Sequence, residues 1–279
     1  MAPLLLISSA FLHALWNALA KKSGSPSSQV MGILIFATLF ATAFVPFFSG
    51  AHFPTLLSFW WAIGAGTFEA GYVATLAITF DKAALGLSYT LMRGGAMLLV
   101  WAFSTVFLGE KLTSLALAGV TLVVGGLYLT GRVSRRSKPR KGGELYAYLC
   151  AFFIAAYHLC YGQSLALGAN PASLFALSLW VAVPALLIIN GKEKFLILKE
   201  RMWNSPLPFV TGGLICALSF MLFLLGLRHA GAGYALTLRN TSVIFAQILA
   251  ATIGERVSII QWLGAVLVAV GVSLVSSGV

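Results

Sequence analysis

Three charged side chains stand inside long apolar runs of the sequence: Glu69, Arg93 and Arg239. A charge at the centre of a bilayer costs about 2.5–3.5 kcal/mol on insertion scales, so such residues face a cavity or a partner. A guanidinium donates two parallel hydrogen bonds in one plane, which suits carboxylate, phosphate or phosphonate. Arg93 follows Tyr89 by one turn and precedes Gly94-Gly95, while Arg239 opens the polar run Asn240-Thr241-Ser242. The pattern predicts two cations converging on one midplane site for an anionic group, with Tyr89 and Asn240 beside them. Glu69 is expected to couple protons or to set the charge of the arginines. Its plainer role is to pair with one arginine as structural glue.

Two stripes are expected to line the same space. His13, Trp16, Asn17 and Lys21 recur at three- and four-residue steps, which places them on one helix face. Tyr157, His158, Tyr161 and Ser164 form a similar set further along. Trp16, Asn17, Tyr157 and His158 read as cavity lining. Lys21 reads as a snorkelling interface anchor, and His52 and His229 read as solvated.

These residues need helices to hold them, and composition supplies little else. Of 279 residues, 59% are hydrophobic and 9% charged, and the mean hydropathy is +0.94. A soluble domain carries about 25% charged residues, so a soluble globule is excluded, as is disorder. What remains is an all-α polytopic membrane protein. The formal charge of +11 does not signal nucleic acid, because the basic residues cluster in loops beside apolar segments. The cysteines Cys150, Cys160 and Cys216 are odd in number and lie in apolar stretches, which supports neither a disulfide framework nor a metal site. No cofactor motif is present.

Ten transmembrane helices are expected, near 2–20, 28–48, 58–80, 84–108, 113–131, 144–167, 171–189, 206–228, 232–252 and 259–277. The basic segment 132–143 reads as a linker between five-helix repeats at 1–131 and 144–279, and Lys192 to Arg201 as a second charged loop. Fourteen of the 18 basic residues fall in loops after odd-numbered spans. The positive-inside rule then puts those loops in the cytoplasm and both termini outside.

The halves repeat. Leu108-Gly109-Glu110-Lys111-Leu112-Thr113 matches Ile253-Gly254-Glu255-Arg256-Val257-Ser258, and the same offset pairs Gly119 with Gly264 and Gly126 with Gly271. Five helices per copy is an odd number, so the copies are expected to be inverted, as in secondary transporters. Glu110 and Glu255 are expected to stabilise the starts of the fifth and tenth helices. The small residues suit close packing between halves or between protomers of a homodimer.

The five-plus-five pattern, the two Gly-Glu-basic turns and the glycine-bearing helices after them resemble the ten-helix EamA branch of the drug/metabolite transporter superfamily. His13-Ala14-Leu15-Trp16-Asn17 with Lys21 resembles a bacterial subgroup of that branch. The resemblance implies a multi-pass transporter in a bacterial inner membrane. Many relatives keep their termini in the cytoplasm, which departs from the orientation the charges favour here.

The expected function is secondary transport of a small organic anion or zwitterion (a phosphonate, phosphate ester or amino-acid-like metabolite) by alternating access. Its partners would be that small molecule and the lipid bilayer. The alternatives are an exporter of amino acids or cationic drugs with Glu69 as counter-charge, a lipid-head-group flippase, or a membrane enzyme built on His13 and His158. No HExxH, GxSxG, paired carboxylates or phosphate-cradling glycine loop accompanies these residues, so catalysis is not expected.

Overall fold

The computed structural model describes residues 1–22, 26–82, 85–132, 143–252 and 257–278. Within them it leaves aside the side chains of 21, 22, 26, 27, 77, 80–82, 85–90, 132 and 143. Helices α1 (Ala2–Lys22), α2 (Pro26–Phe44), α3 (Leu56–Lys82), α4 (Leu85–Phe107) and α5 (Ser114–Arg132) make the first half. The second comprises α6 (Gly143–Ala166), α7 (Pro171–Asn204), α8 (Leu207–Leu227), α9 (Ala232–Arg239), α10 (Ser242–Thr252) and α11 (Ile259–Gly278). Among the described residues seven helices are long and apolar enough to cross a membrane, and none forms a strand.

The sequence punctuation works as physical stops and starts. Asn170 caps α7 by accepting hydrogen bonds from the backbone N–H groups of Ala172 and Ser173, with Pro171 at the first helical position. Its side-chain amide also donates to the Phe48 and Ser49 carbonyls at 3.3 Å. One side chain therefore both starts a helix and pins the loop between α2 and α3.

Two expectations need correction. The segment Lys192 to Arg201 is not a loop: α7 kinks at Gly191 (φ 78, ψ 166) and continues as helix to Asn204. Its charges flank the run Phe195-Leu196-Ile197-Leu198, of which Leu198 is buried and the other three are exposed. A helix satisfies its own backbone hydrogen bonds whatever surrounds it, so a charged segment can continue one. The ninth span, in turn, is discontinuous. α9 ends at Arg239 and α10 begins at Ser242, because Asn240, Thr241 and Ser242 compete for the helical ladder. The Thr241 hydroxyl donates to the Leu238 carbonyl at 2.7 Å, and the backbone N–H of Val243 bonds Asn240 only three residues back.

Helix packing recurs across the halves. α1 lies on α8 as α6 lies on α3, and α2 lies on α8 as α7 lies on α3; α4 meets α6 as α9 and α10 meet α1. α5 and α11 form the most extensive pair. They run antiparallel, since Gly119 lies against Gly271 and Gly126 against Gly264. A Cβ on Gly119 would sit 2.5 Å from the Gly271 carbonyl oxygen, and one on Gly271 would sit 2.5 Å from the Gly119 oxygen. Only hydrogen fits at these positions, so the backbones themselves touch.

Candidate functional site

Arg239 occupies the last turn of α9 and is 2% exposed. Its Nη1 donates to the Ser9 hydroxyl at 3.0 Å, and Nη2 lies 3.2 Å from His13 Nδ1. The guanidinium carbon stands 4.5 Å from the centroid of Phe220 and 4.4 Å from that of Phe223, both on α8. Aromatic faces attract a cation and shed little charge to it. Among the described residues none of these partners is an acid.

Arg93 approaches the same imidazole from α4. Its Nη2 lies 2.6 Å from His13 Nε2, and Nη1 donates to Ser242 Oγ at 3.2 Å. Ser242 opens α10, so the break in the ninth span brings a helix start beside the guanidinium groups. The two arginines, one from each half, thus meet at His13 of α1. α1 is itself fastened to α8 by a reciprocal pair: Ser9 Oγ donates to the Ser219 carbonyl at 2.7 Å, and Ser219 Oγ to the Ser9 carbonyl at 2.9 Å.

From this cluster a chain of rings leads to the acid. Phe223 lies edge-on to His158 at 5.1 Å, His158 lies 4.1 Å from Tyr157, and Tyr157 lies 5.7 Å from Tyr161. The Tyr161 hydroxyl donates to Glu69 Oε2 at 2.8 Å and also meets Ser178 Oγ at 2.8 Å. Glu69 is 3% exposed. Its described hydrogen-bond partner is this tyrosine.

Among the described residues, the other expected ones sort as follows. Trp16 is buried and edge-on to His13 at 5.2 Å, with its indole N–H unpaired. His158 donates through Nδ1 to the Ile154 carbonyl at 2.7 Å, leaving Nε2 without a partner. Asn240 donates to Met97 Sδ at 3.4 Å, and its carbonyl oxygen is unpaired. Asn17 turns back onto its own helix, donating to the His13 carbonyl at 2.6 Å. The side chains of Tyr89 and Lys21 lie outside the described residues. His52 bonds Ser173 Oγ at 2.7 Å across the α2–α3 loop. Residues unassigned at the outset but central here are Ser9, Phe220, Phe223 and Ser242, together with His13, which the helical stripe had marked.

Glu110 does not serve the start of its own helix. Gly109 ends α4 in the left-handed region (φ 69), and the Glu110 N–H bonds back to the Ser104 carbonyl at 3.1 Å. That turn swings the carboxylate across to α9, where it accepts from the backbone N–H of Gly233 and of Tyr234, each at 3.0 Å. Gly231 is packed so closely under the carboxylate that a Cβ there would overlap it. The second such turn, 253–256 with Glu255, lies outside the described residues. Beside Glu110 a cavity of about 490 Å³ opens between the ends of α6 and α8 and the start of α9, lined also by Gln163 and Arg228. A smaller one of about 210 Å³ adjoins His229 and Tyr234. Neither is lined by Arg93 or Arg239.

Repeated apolar helices around a buried polar cluster define a multi-pass membrane protein. Residues 141–277 match the model of the EamA-like transporter family, in agreement with the resemblance seen in the sequence. The fold also resembles one found in a crystal structure of a protein 15% identical in sequence. The TM-score is 0.74, and the match covers 99% of this chain and 98% of that one.

Proposed function

We propose that the chain is a secondary transporter that moves a small organic anion or zwitterion by alternating access between inverted halves, residues 1–131 and 144–279. Arg93 and Arg239 supply the positive charge that receives the anionic group, Trp16, Tyr157 and His158 line its path, and Glu69 is the coupling acid. One observation carries the reading. Two buried guanidinium groups from opposite halves meet at a single imidazole, and no acid stands among the described hydrogen-bond and ring partners of Arg239. A buried cation with no acid in direct contact favours an anion that arrives and leaves.

The paired packing of α1 on α8 with α6 on α3, and the reciprocal glycines of α5 and α11, support the inverted arrangement. In the conformation described, rings of Phe220 and Phe223 cover Arg239, which fits a state closed around the site. The odd-numbered loops face the cytoplasm of a bacterial cell in this reading, as their basic residues favour.

Uptake into proteoliposomes tests it. Across phosphonates, phosphate esters, amino acids and organic cations, an anionic or zwitterionic substrate is expected, with transport lost in Arg93→Ala and Arg239→Ala. Full transport by both variants would end the assignment. A cationic substrate dependent on Glu69 would replace it with the exporter alternative.

A further inference from the structure

His13 is placed between two donors that it cannot both satisfy. A neutral imidazole has one ring nitrogen that accepts and one that carries a proton. Arg93 Nη2 faces Nε2 at 2.6 Å and Arg239 Nη2 faces Nδ1 at 3.2 Å. Whichever nitrogen holds the proton, one guanidinium N–H points at an imidazole N–H. The shorter contact marks Nε2 as the acceptor, which leaves Nδ1–H and Arg239 Nη2–H aimed at each other. A protonated ring would make both contacts donor against donor and add a third cation, so it relieves nothing.

We infer that His13 is itself part of the anion site, a hydrogen-bond donor whose ring N–H and the Arg239 guanidinium together receive one oxygen of an oxyanion. The inference rests on the anion reading above and divides the labour within it. An oxygen entering between Nδ1 and Nη2 turns one repulsive contact into two charge-assisted hydrogen bonds. Arg93 keeps its bond to Nε2 and acts through the ring, as a positioning residue that holds the proton on Nδ1. The ligand class is a carboxylate, phosphonate or phosphate, whose oxygens accept in this way. A neutral ligand or a cation without such an oxygen gains nothing there. Because 3.2 Å is too short to admit an atom, entry forces the ring and the guanidinium apart, and so separates α1 from α9. Binding thereby works on the contact between a helix of the first half and a helix of the second.

The test uses the full chain in lipid nanodiscs, with inorganic phosphate, methylphosphonate and acetate as probes, and variants His13→Asn, His13→Gln, His13→Phe and Arg239→Met. The amide nitrogen of asparagine takes the place of Nδ1, whereas glutamine reaches the place of Nε2. Nitrogen-15 spectra of the wild type are expected to show His13 protonated on Nδ1 with and without probe, and to show a changed tautomer in Arg93→Met. Binding is expected to survive in His13→Asn within severalfold. It should weaken about 10- to 100-fold in His13→Gln and His13→Phe, the worth of one hydrogen bond to a charged group. Loss of binding in Arg239→Met with wild-type binding in all three His13 variants overturns the role of His13 and leaves the anion site standing. Equal losses in His13→Asn and His13→Gln overturn it as well. If the wild-type chain binds none of the three probes, the site reading falls and this inference with it. A variant that fails to fold is recognised by its helical circular dichroism, and the wild-type and Arg93→Met spectra then decide.

Discussion

Removing the carboxylate of Glu110 should loosen a helix 123 residues away in sequence. In Glu110→Ala the N–H groups of Gly233 and Tyr234 lose their shared acceptor at the first turn of α9. A lost helix cap costs about 0.5–2 kcal/mol, and the lost negative charge at a helix start costs about 0.3–1 kcal/mol more. Together they put the opening of this turn about 1–3 kcal/mol closer to the folded state, which is about a 5- to 150-fold change in an equilibrium. The adjacent 490 Å³ cavity offers water a route to these amides. Hydrogen exchange resolved to Gly233 and Tyr234 should therefore accelerate by that factor in Glu110→Ala, with Glu110→Gln between it and the wild type. Amides in the middle of α8 serve as the internal reference. Unchanged exchange at both positions would show that the carboxylate contributes nothing to α9, and the account of the Gly109-Glu110 turn would be wrong.

Other outcomes follow from the same geometry. Gly126→Ala drives a Cβ to 2.5 Å from the Gly264 carbonyl oxygen and should destabilise the protein in detergent by about 1–3 kcal/mol. Gly125→Ala, which meets nothing within 4 Å, should leave thermal unfolding unchanged or raise it slightly. Asn170→Ala removes a cap and two loop ties, so a loss of about 1–2 kcal/mol is expected, read as a lower unfolding temperature and faster proteolysis between α2 and α3. Ser219→Ala deletes the bond from the Ser219 hydroxyl to the Ser9 carbonyl and should destabilise the protein by about 0.6 kcal/mol, the usual size for helix–helix hydrogen bonds in membranes. An unfolding temperature unchanged from the wild type would mean that this bond does not help to hold α1 to α8.

Much of the architecture was legible because membrane helices declare themselves by length and because a repeated motif fixes register. Gly119 and Gly264, aligned by the Gly-Glu-basic turns, proved to be contact points of the same helix pair. The break in the ninth span was signalled by Arg239-Asn240-Thr241-Ser242, but long apolar flanks on both sides favour one continuous helix when hydropathy alone is averaged. The second part of α7 was hidden for the opposite reason, since its lysines and glutamates read as loop charge. That Arg93 and Arg239 meet follows from their pseudo-equivalent positions. That His13 stands between them depends on how α1 is rotated against α4 and α9, which no local pattern encodes. Phe220 and Phe223 carry no signal in an apolar run; only the guanidinium above them makes them distinctive. Glu110 was assigned to the nearest helix start, whereas the left-handed Gly109 directs it to a distant one.

The seam of α5 and α11 closes with hydrogen atoms in place of side chains. Nothing in it discriminates between cargoes, and nothing in the arginine–imidazole cluster on α1, α4 and α9 contributes to it. Substitution in that cluster can therefore change its chemistry while the frame stays constant, provided that four glycines persist. Val123, Thr130, Val268 and Val275 close over those glycines from the opposite helix, so a larger side chain at any of the four would prise the seam open.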